Sequence, residues 1–152
     1  MRDILFLILG LIIALTLTLV MPQLGNSIWN PPWVLMVLCA WVMVKKRYLG
    51  FLLPFLLGLV MDVMLGSPLG AHVLALLLPI FIVVILCKRV ARYGVWQQAL
   101  MILVLTLMYQ LILVCIYGFM GMSPASYHYF LSPITAMMVW ILMALPLKRV
   151  RR

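Results

Sequence analysis

Residues 52–87 read LLPFLLGLVMDVMLGSPLGAHVLALLLPIFIVVILC, two apolar runs on either side of the segment Gly66–Gly70. Glycine, serine and proline in that segment are typical of a turn. The only ionisable acid of the stretch, Asp62, lies four residues before the turn. A membrane-spanning helix needs about 20 mostly apolar residues, with a range of roughly 17–25. Together with the apolar residues just before it, the stretch therefore predicts two membrane helices joined by a tight turn.

The same pattern continues on both sides of this stretch. Residues 4–44 and 93–147 contain no Asp, Glu, Lys or Arg, and each run is broken near its middle, at 22–32 and at 121–128. In hydrocarbon every backbone amide must be satisfied within the protein, which leaves helices or closed barrels, and the runs lack the alternation of a barrel strand. We therefore predict an all-α membrane protein of one domain, residues 1–152, with six transmembrane helices in three hairpins. The predicted spans are 4–21, 30–44, 48–65, 71–87, 95–120 and 130–147.

The amino-acid composition indicates that most of the protein is surrounded by lipid rather than by water. The chain is 68% hydrophobic and only 9% charged, whereas an ordinary soluble domain has about 25% charged residues. Its net charge of +9 is scattered over short connections rather than gathered on one soluble face, so the sequence does not predict nucleic-acid binding.

The basic residues predict the topology. With six spans, all eleven Lys and Arg fall on one side of the membrane, and the three hairpin breaks on the other side have none. The positive-inside rule then places both termini in the cytoplasm. The basic residues are Arg2, Lys45, Lys46, Arg47, Lys88, Arg89, Arg92, Lys148, Arg149, Arg151 and Arg152.

Two alternatives concern the first two helices. Only twelve apolar residues separate Pro32 from Lys45, so the second span is short, and a re-entrant segment there would move the N-terminus outside. The N-terminal run from Ile4 to Met21 also resembles a signal peptide, but it is longer than a signal h-region and lacks a small-residue cleavage site. We predict six spans with an uncleaved first helix.

The sequence offers no constellation for catalysis. A single membrane Asp cannot supply both members of a general acid–base pair, and the cysteines and histidines lack the spacing of a metal site. We predict a non-enzymatic protein with no metal and no cofactor.

A stripe of small residues surrounds the single membrane acid. Gly58, Asp62, Gly66 and Gly70 recur at every fourth position, and small residues at this spacing let another helix approach closely. That helix could belong to this chain or to a partner. An acid inside a span usually faces the bundle interior or a cavity, and it marks a candidate functional site.

Further polar side chains are predicted in the same outer half of the membrane as Asp62, namely Thr16 and Thr18 in the first span and Thr135 in the sixth. Thr106, Tyr109 and Gln110 lie at or just past the middle of the fifth span, and we predict an intramembrane polar site formed by them and Asp62. His72, across the turn, is the candidate partner for Asp62 within the chain. The competing interpretation for each of these threonines is a hydrogen bond to the backbone of its own helix.

Three motifs together resemble the MreD family of bacterial rod shape-determining membrane proteins. They are GxxxDxxxGSxxG at 58–70, NPPW at 30–33 and WQQAL at 96–100. The likeness extends over nearly the whole chain in length, number of spans and basic connections. It implies a multi-pass protein of the bacterial inner membrane whose fold resembles the capture subunits of energy-coupling-factor transporters.

The resemblance also implies partners. MreD proteins belong to the elongasome, which directs lateral peptidoglycan synthesis. They work with the bitopic scaffold MreC, with the RodA glycosyltransferase and an elongation-specific penicillin-binding transpeptidase, and indirectly with MreB filaments. The alternative is a capture subunit of a vitamin-type transporter. That family has a small-residue stripe on its first helix, and here only Gly10 and Ala14 match it.

The predicted topology can be tested by labelling single cysteines in a cysteine-free background with an impermeant thiol reagent. In intact spheroplasts, cysteine at Ser67 or Ser126 should react, and cysteine at Arg92 should not. Labelling at Arg92 without permeabilisation would overturn the orientation. Cysteine at Asp3 should react from outside only if the second span is re-entrant.

Overall fold

The structure is a computed structural model, and it describes residues 2–23, 31–45, 51–90, 94–121 and 131–150. These ranges form six helices and no strand, which confirms the all-helical prediction. Each helix limit lies within four residues of the predicted one, because the runs end at turn-forming residues. The helices are α1 Arg2–Gln23, α2 Trp33–Lys45, α3 Leu52–Leu65, α4 Ala71–Val90, α5 Val95–Phe119 and α6 Ser132–Val150.

Two helices lie at the centre of the bundle. The short α2, 13 residues long, contacts α1, α4 and α6, and α4 contacts α2, α3 and α5. Most of α2 is buried, and the partly exposed side chains Trp33, Val37 and Trp41, which share one side of the helix, are apolar as well, so its sequence has no polar face. The buried side chains of α2 are Val34, Leu35, Met36, Leu38, Cys39, Ala40, Val42 and Met43.

The outer helices expose apolar side chains. Such side chains cover one side of α3, which packs mainly against α4 and only slightly against α1. Among the described residues, Val95–Phe119 is the one helix long and apolar enough to span a membrane, with five shorter apolar helices beside it. The exposed apolar side chains of α3 are Leu52, Phe55, Leu56, Leu59, Val60, Val63, Met64 and Leu65.

Gly58 sets the distance between α3 and α4. A Cβ atom built on Gly58 would lie 2.5 Å from Val73 Cα and 2.7 Å from Val73 N, both backbone atoms of α4. Real carbon atoms do not approach so closely, and a backbone cannot rotate away as the end of a side chain can. The absence of a side chain at Gly58 is therefore required for the two helices to pack as they do.

Alanine at Gly58 should separate α3 from α4 and destabilise the protein by about 1–3 kcal/mol, the typical cost of overpacking. The measurement is the thermal unfolding midpoint of the detergent-purified protein. Gly10→Ala is the matched control, because its Cβ would meet Val37 Cγ1 at an ordinary 3.6 Å. If Gly58→Ala unfolds no earlier than Gly10→Ala, the close packing at Val73 is not required.

Candidate functional site

The junction between α3 and α4 is held by the carboxylate of Asp62. Its Oδ1 accepts hydrogen bonds from Ser67 Oγ at 2.8 Å and from His72 N at 2.9 Å. His72 Nδ1 also lies 2.8 Å from Oδ1, and Oδ2 accepts from Gly70 N at 2.7 Å. We call this group of residues the clasp; it consists of Asp62, Ser67, Gly70 and His72.

The local sequence forms the clasp by ending one helix and starting the next within five residues. Gly66 ends α3 in the left-handed conformation, with φ of 64°, which glycine adopts without a steric cost. Ser67 N then donates to the main-chain oxygen of Asp62 at 3.0 Å, a bond typical of a Schellman helix end. Gly70, with φ of 98°, leads into α4. The backbone of this turn aims two N–H groups at the Asp62 side chain.

The electrostatics of the clasp suit an ionised carboxylate. Asp62 is only 1% exposed, and burying a bare charge is costly. Here the two backbone donors belong to the first turn of α4, where the helix dipole favours negative charge. Ser67 Oγ donates as well, and a proton on His72 Nδ1 adds a fourth donor, so both carboxylate oxygens are satisfied. The arrangement can hold the two helix ends together and fix the orientation of the His72 ring.

A cavity of about 150 Å³ lies next to the clasp, near the start of α2, α4 and α6. His72 belongs to both: its Nδ1 faces Asp62, and the residue also lines the cavity. Tyr109 and Gln110 of α5 line the same cavity, with the Tyr109 ring centroid 6.3 Å from that of His72. Asp62 itself is not among the described lining residues, and its contact with His72 connects the carboxylate to the cavity.

The four residues of the predicted polar site therefore divide into three environments. Asp62 lies in the clasp, and Tyr109 and Gln110 lie at the cavity. Thr106 is fully buried and donates to Ile102 O of its own helix at 2.8 Å. The other three threonines, Thr16, Thr18 and Thr135, likewise donate to carbonyl groups of their own helices.

The glycines of the stripe also differ in what they contact. Gly58 faces Val73 within this chain, so its close contact is made to α4 rather than left open to a partner. Gly66 and Gly70 have no neighbour within 4 Å of a built Cβ, and both have positive φ. Their role is in the backbone conformation of the turn.

Three residues that the structure brings to the site were not part of the predicted polar site. Ser67 completes the clasp, and Ser132 and Thr18 line the cavity. Ser67 could have been found from its place directly after a helix-ending glycine, five residues from Asp62. The position of Thr18 along the first span indicates the same outer half of the membrane as Asp62, whereas no pattern indicated Ser132. The place of both residues at the cavity depends on the packing of distant helices. Since Ser67 is bonded, replacing it by cysteine for topology labelling also removes a donor from the clasp, whereas Ser126 lies outside the described residues.

The described residues form a small all-helical protein with a buried acid at a helix junction and a helix, Val95–Phe119, that is long and apolar enough to span a membrane. The profile of the family described as rod shape-determining protein MreD matches residues 1–150. The chain belongs to this family of membrane proteins, whose role is in determining rod shape. It is 27% identical over 143 residues to the rod shape-determining protein MreD of Haemophilus influenzae strain Rd, covering 93% of this chain and 87% of that protein. No solved structure matches the chain significantly.

Replacing Asp62 by Asn should destabilise the α3–α4 junction, although the two side chains have nearly the same size and shape. An amide has one acceptor oxygen, so its NH₂ group would face a backbone or side-chain donor in either orientation. Each buried donor left unsatisfied costs about 1–3 kcal/mol. Asp62→Leu leaves all the donors unsatisfied and should cost more than Asn. The free energy of unfolding in detergent micelles measures both variants.

Two further variants provide a smaller change in the clasp and a control outside it. Ser67→Ala removes a single donor and should destabilise less than Asp62→Asn. Thr16→Ala removes an exposed hydroxyl that donates to carbonyl oxygens of its own helix and should leave stability nearly unchanged. Unfolding of Asp62→Asn at the wild-type free energy would show that the clasp does not hold the junction.

Proposed function

We propose that this protein is a non-enzymatic component of the bacterial elongasome that helps to organise lateral peptidoglycan synthesis. The observation that carries the proposal is the match to the MreD family over residues 1–150. In this proposal the chain contacts an MreC-type bitopic scaffold directly. Through that complex it acts with a RodA-type glycosyltransferase, an elongation-specific penicillin-binding transpeptidase and MreB-type filaments.

We further propose that the chain crosses the inner membrane six times with both termini in the cytoplasm. The one-sided distribution of the basic residues supports this topology. The length and hydropathy of Val95–Phe119 support at least one crossing. The proposed arrangement in three hairpins is supported by the contacts of α1 with α2, α3 with α4 and α5 with α6. We also propose, from the resemblance alone, that the fold is similar to the capture subunits of energy-coupling-factor transporters.

Partner contacts in this proposal are made between helices in the membrane. The connections between the helices are at most twelve residues long, too short to form a folded domain. α4 packs against one side of α3, where Gly58 allows the close contact. The opposite side of α3 exposes a continuous apolar surface. We assign this outward face of α3 to the single helix of the scaffold.

The transport alternative is less well supported by the cavity. Sites that enclose a drug-sized molecule usually measure about 300–1,000 Å³, and this cavity is about 150 Å³. A whole vitamin would therefore require the bundle to open. Measuring uptake or tight binding of vitamins by the purified protein separates transport from shape determination.

A tryptophan at Val60 should disturb the scaffold contact, because the larger side chain would keep the two helices apart. Val60 is exposed on the outward face of α3. Val60→Trp should lower the amount of MreC that copurifies from native membranes several-fold and should make rod cells rounder. Val104→Trp on α5 is the matched control, since Val104 is also an exposed apolar residue and should tolerate the change towards lipid.

The protein level in the membrane must be equal for both variants, which an immunoblot establishes. If the normal amount of MreC copurifies with the Val60→Trp variant, the outward face of α3 is not the scaffold contact. Normal rods in cells that lack the protein altogether would contradict the proposed function itself.

A further inference from the structure

The cavity beside the clasp collects polar side chains from four helices. These are Thr18 of α1, His72 of α4, Tyr109 and Gln110 of α5 and Ser132 of α6, and the remaining lining residues are Pro, Leu, Val and Met. A mostly apolar cavity with a few converging polar groups is the usual form of a small-molecule site. Structural packing alone does not require polar groups from distant parts of the chain to meet at one opening.

Gln110 gives the cavity an unsatisfied hydrogen-bonding group. The residue is only 4% exposed, and its Oε1 has no hydrogen-bond partner in the described parts of the chain. Buried amide oxygens in proteins are normally paired, since leaving one unpaired costs stability. Gln110 also lines the cavity, so turning its side-chain amide over would bring this oxygen to a molecule held there.

His72 presents a second polar group whose orientation is fixed. Its Nδ1 lies against Asp62 Oδ1 and 3.1 Å from Ser67 Oγ, so the clasp does not use Nε2. With the proton on Nδ1, Nε2 of the neutral ring is an acceptor. The Gln110 oxygen is an acceptor as well, so the two groups together suit a ligand that donates hydrogen bonds.

The charges and the size of the cavity restrict the ligand further. None of the described residues that line the cavity is Lys, Arg, Asp or Glu, which disfavours an anion or a metal ion. A water needs only about 10–15 Å³ of such space, so 150 Å³ holds a group of several atoms. We propose that the cavity binds the uncharged, hydroxyl-bearing head of an amphipathic molecule, with hydrogen bonds to Gln110 and His72.

The test uses purified protein in lauryldimethylamine oxide, a detergent that has no hydroxyl group. The probe is 1-monooleoylglycerol, and methyl oleate is the control with the same acyl chain and no hydroxyl group. A ligand that binds only the folded state raises the thermal midpoint. We expect 1-monooleoylglycerol to raise it by about 3 °C or more, and methyl oleate to have no such effect.

The decisive variant is Gln110→Met, which keeps the length of the side chain and removes its polar end. It should raise the thermal midpoint of the ligand-free protein, because an unsatisfied buried oxygen is lost. It should also weaken binding of 1-monooleoylglycerol by roughly tenfold, as expected for the loss of one good hydrogen bond. A variant that is more stable yet binds less well cannot be explained by misfolding.

Gln98→Met on the same helix is the matched control. Gln98 is also buried, has an interaction partner and is not among the described residues that line the cavity. This variant should not gain stability and should keep the response to 1-monooleoylglycerol. If free glycerol stabilises the wild type as well, and Gln110→Met abolishes that effect, the ligand is a free polyol rather than a lipid head. The proposal is overturned if neither hydroxyl-bearing probe stabilises the wild type, or if Gln110→Met keeps the full response.

Discussion

The buried carboxylate of Asp62 accepts hydrogen bonds at both of its oxygens and holds α3 and α4 together where the two helices meet. Asp62 is three residues from the end of α3, and two of its hydrogen bonds come from backbone N–H groups where α4 begins. The acid therefore acts on both helices at once. It satisfies N–H groups that would otherwise lack partners at the α4 N-terminus, and the α4 dipole in turn stabilises its charge.

The position of α4 gives this junction its importance. α4 contacts α2, α3 and α5, so a shift at its N-terminus would be transmitted to most of the bundle. Gly58 and Asp62 act one helical turn apart on the same side of α3: the glycine allows backbone contact with Val73, and the acid fixes the helix start. Close packing and a charged hydrogen-bond network thus secure the same pair of helices by different physical means.

The clasp also connects this structural role to the cavity. Asp62 does not line the cavity, but it orients the His72 ring through Nδ1 and leaves Nε2 available. The acid can therefore influence what the cavity binds without contacting the bound molecule. This arrangement gives one explanation for a charged residue inside an apolar helix, since an apolar residue there could neither satisfy the turn nor orient the histidine.

The sequence by itself determined the helical class, the approximate limits of the six helices and the family. These follow from features that are local along the chain: long apolar runs, turn-forming glycine and proline between them, and the motifs at 30–33, 58–70 and 96–100. The nearness of Asp62 and His72 could also be predicted, because one short turn separates them. Only the tertiary structure decided that backbone donors complete the clasp, that Gly58 faces the backbone of α4, and that Gln110 meets His72 at a cavity while Thr106 bonds its own helix. Those outcomes depend on how each helix is rotated and how closely it approaches its neighbours, and apolar helices without a polar face carry little information about rotation in their sequence.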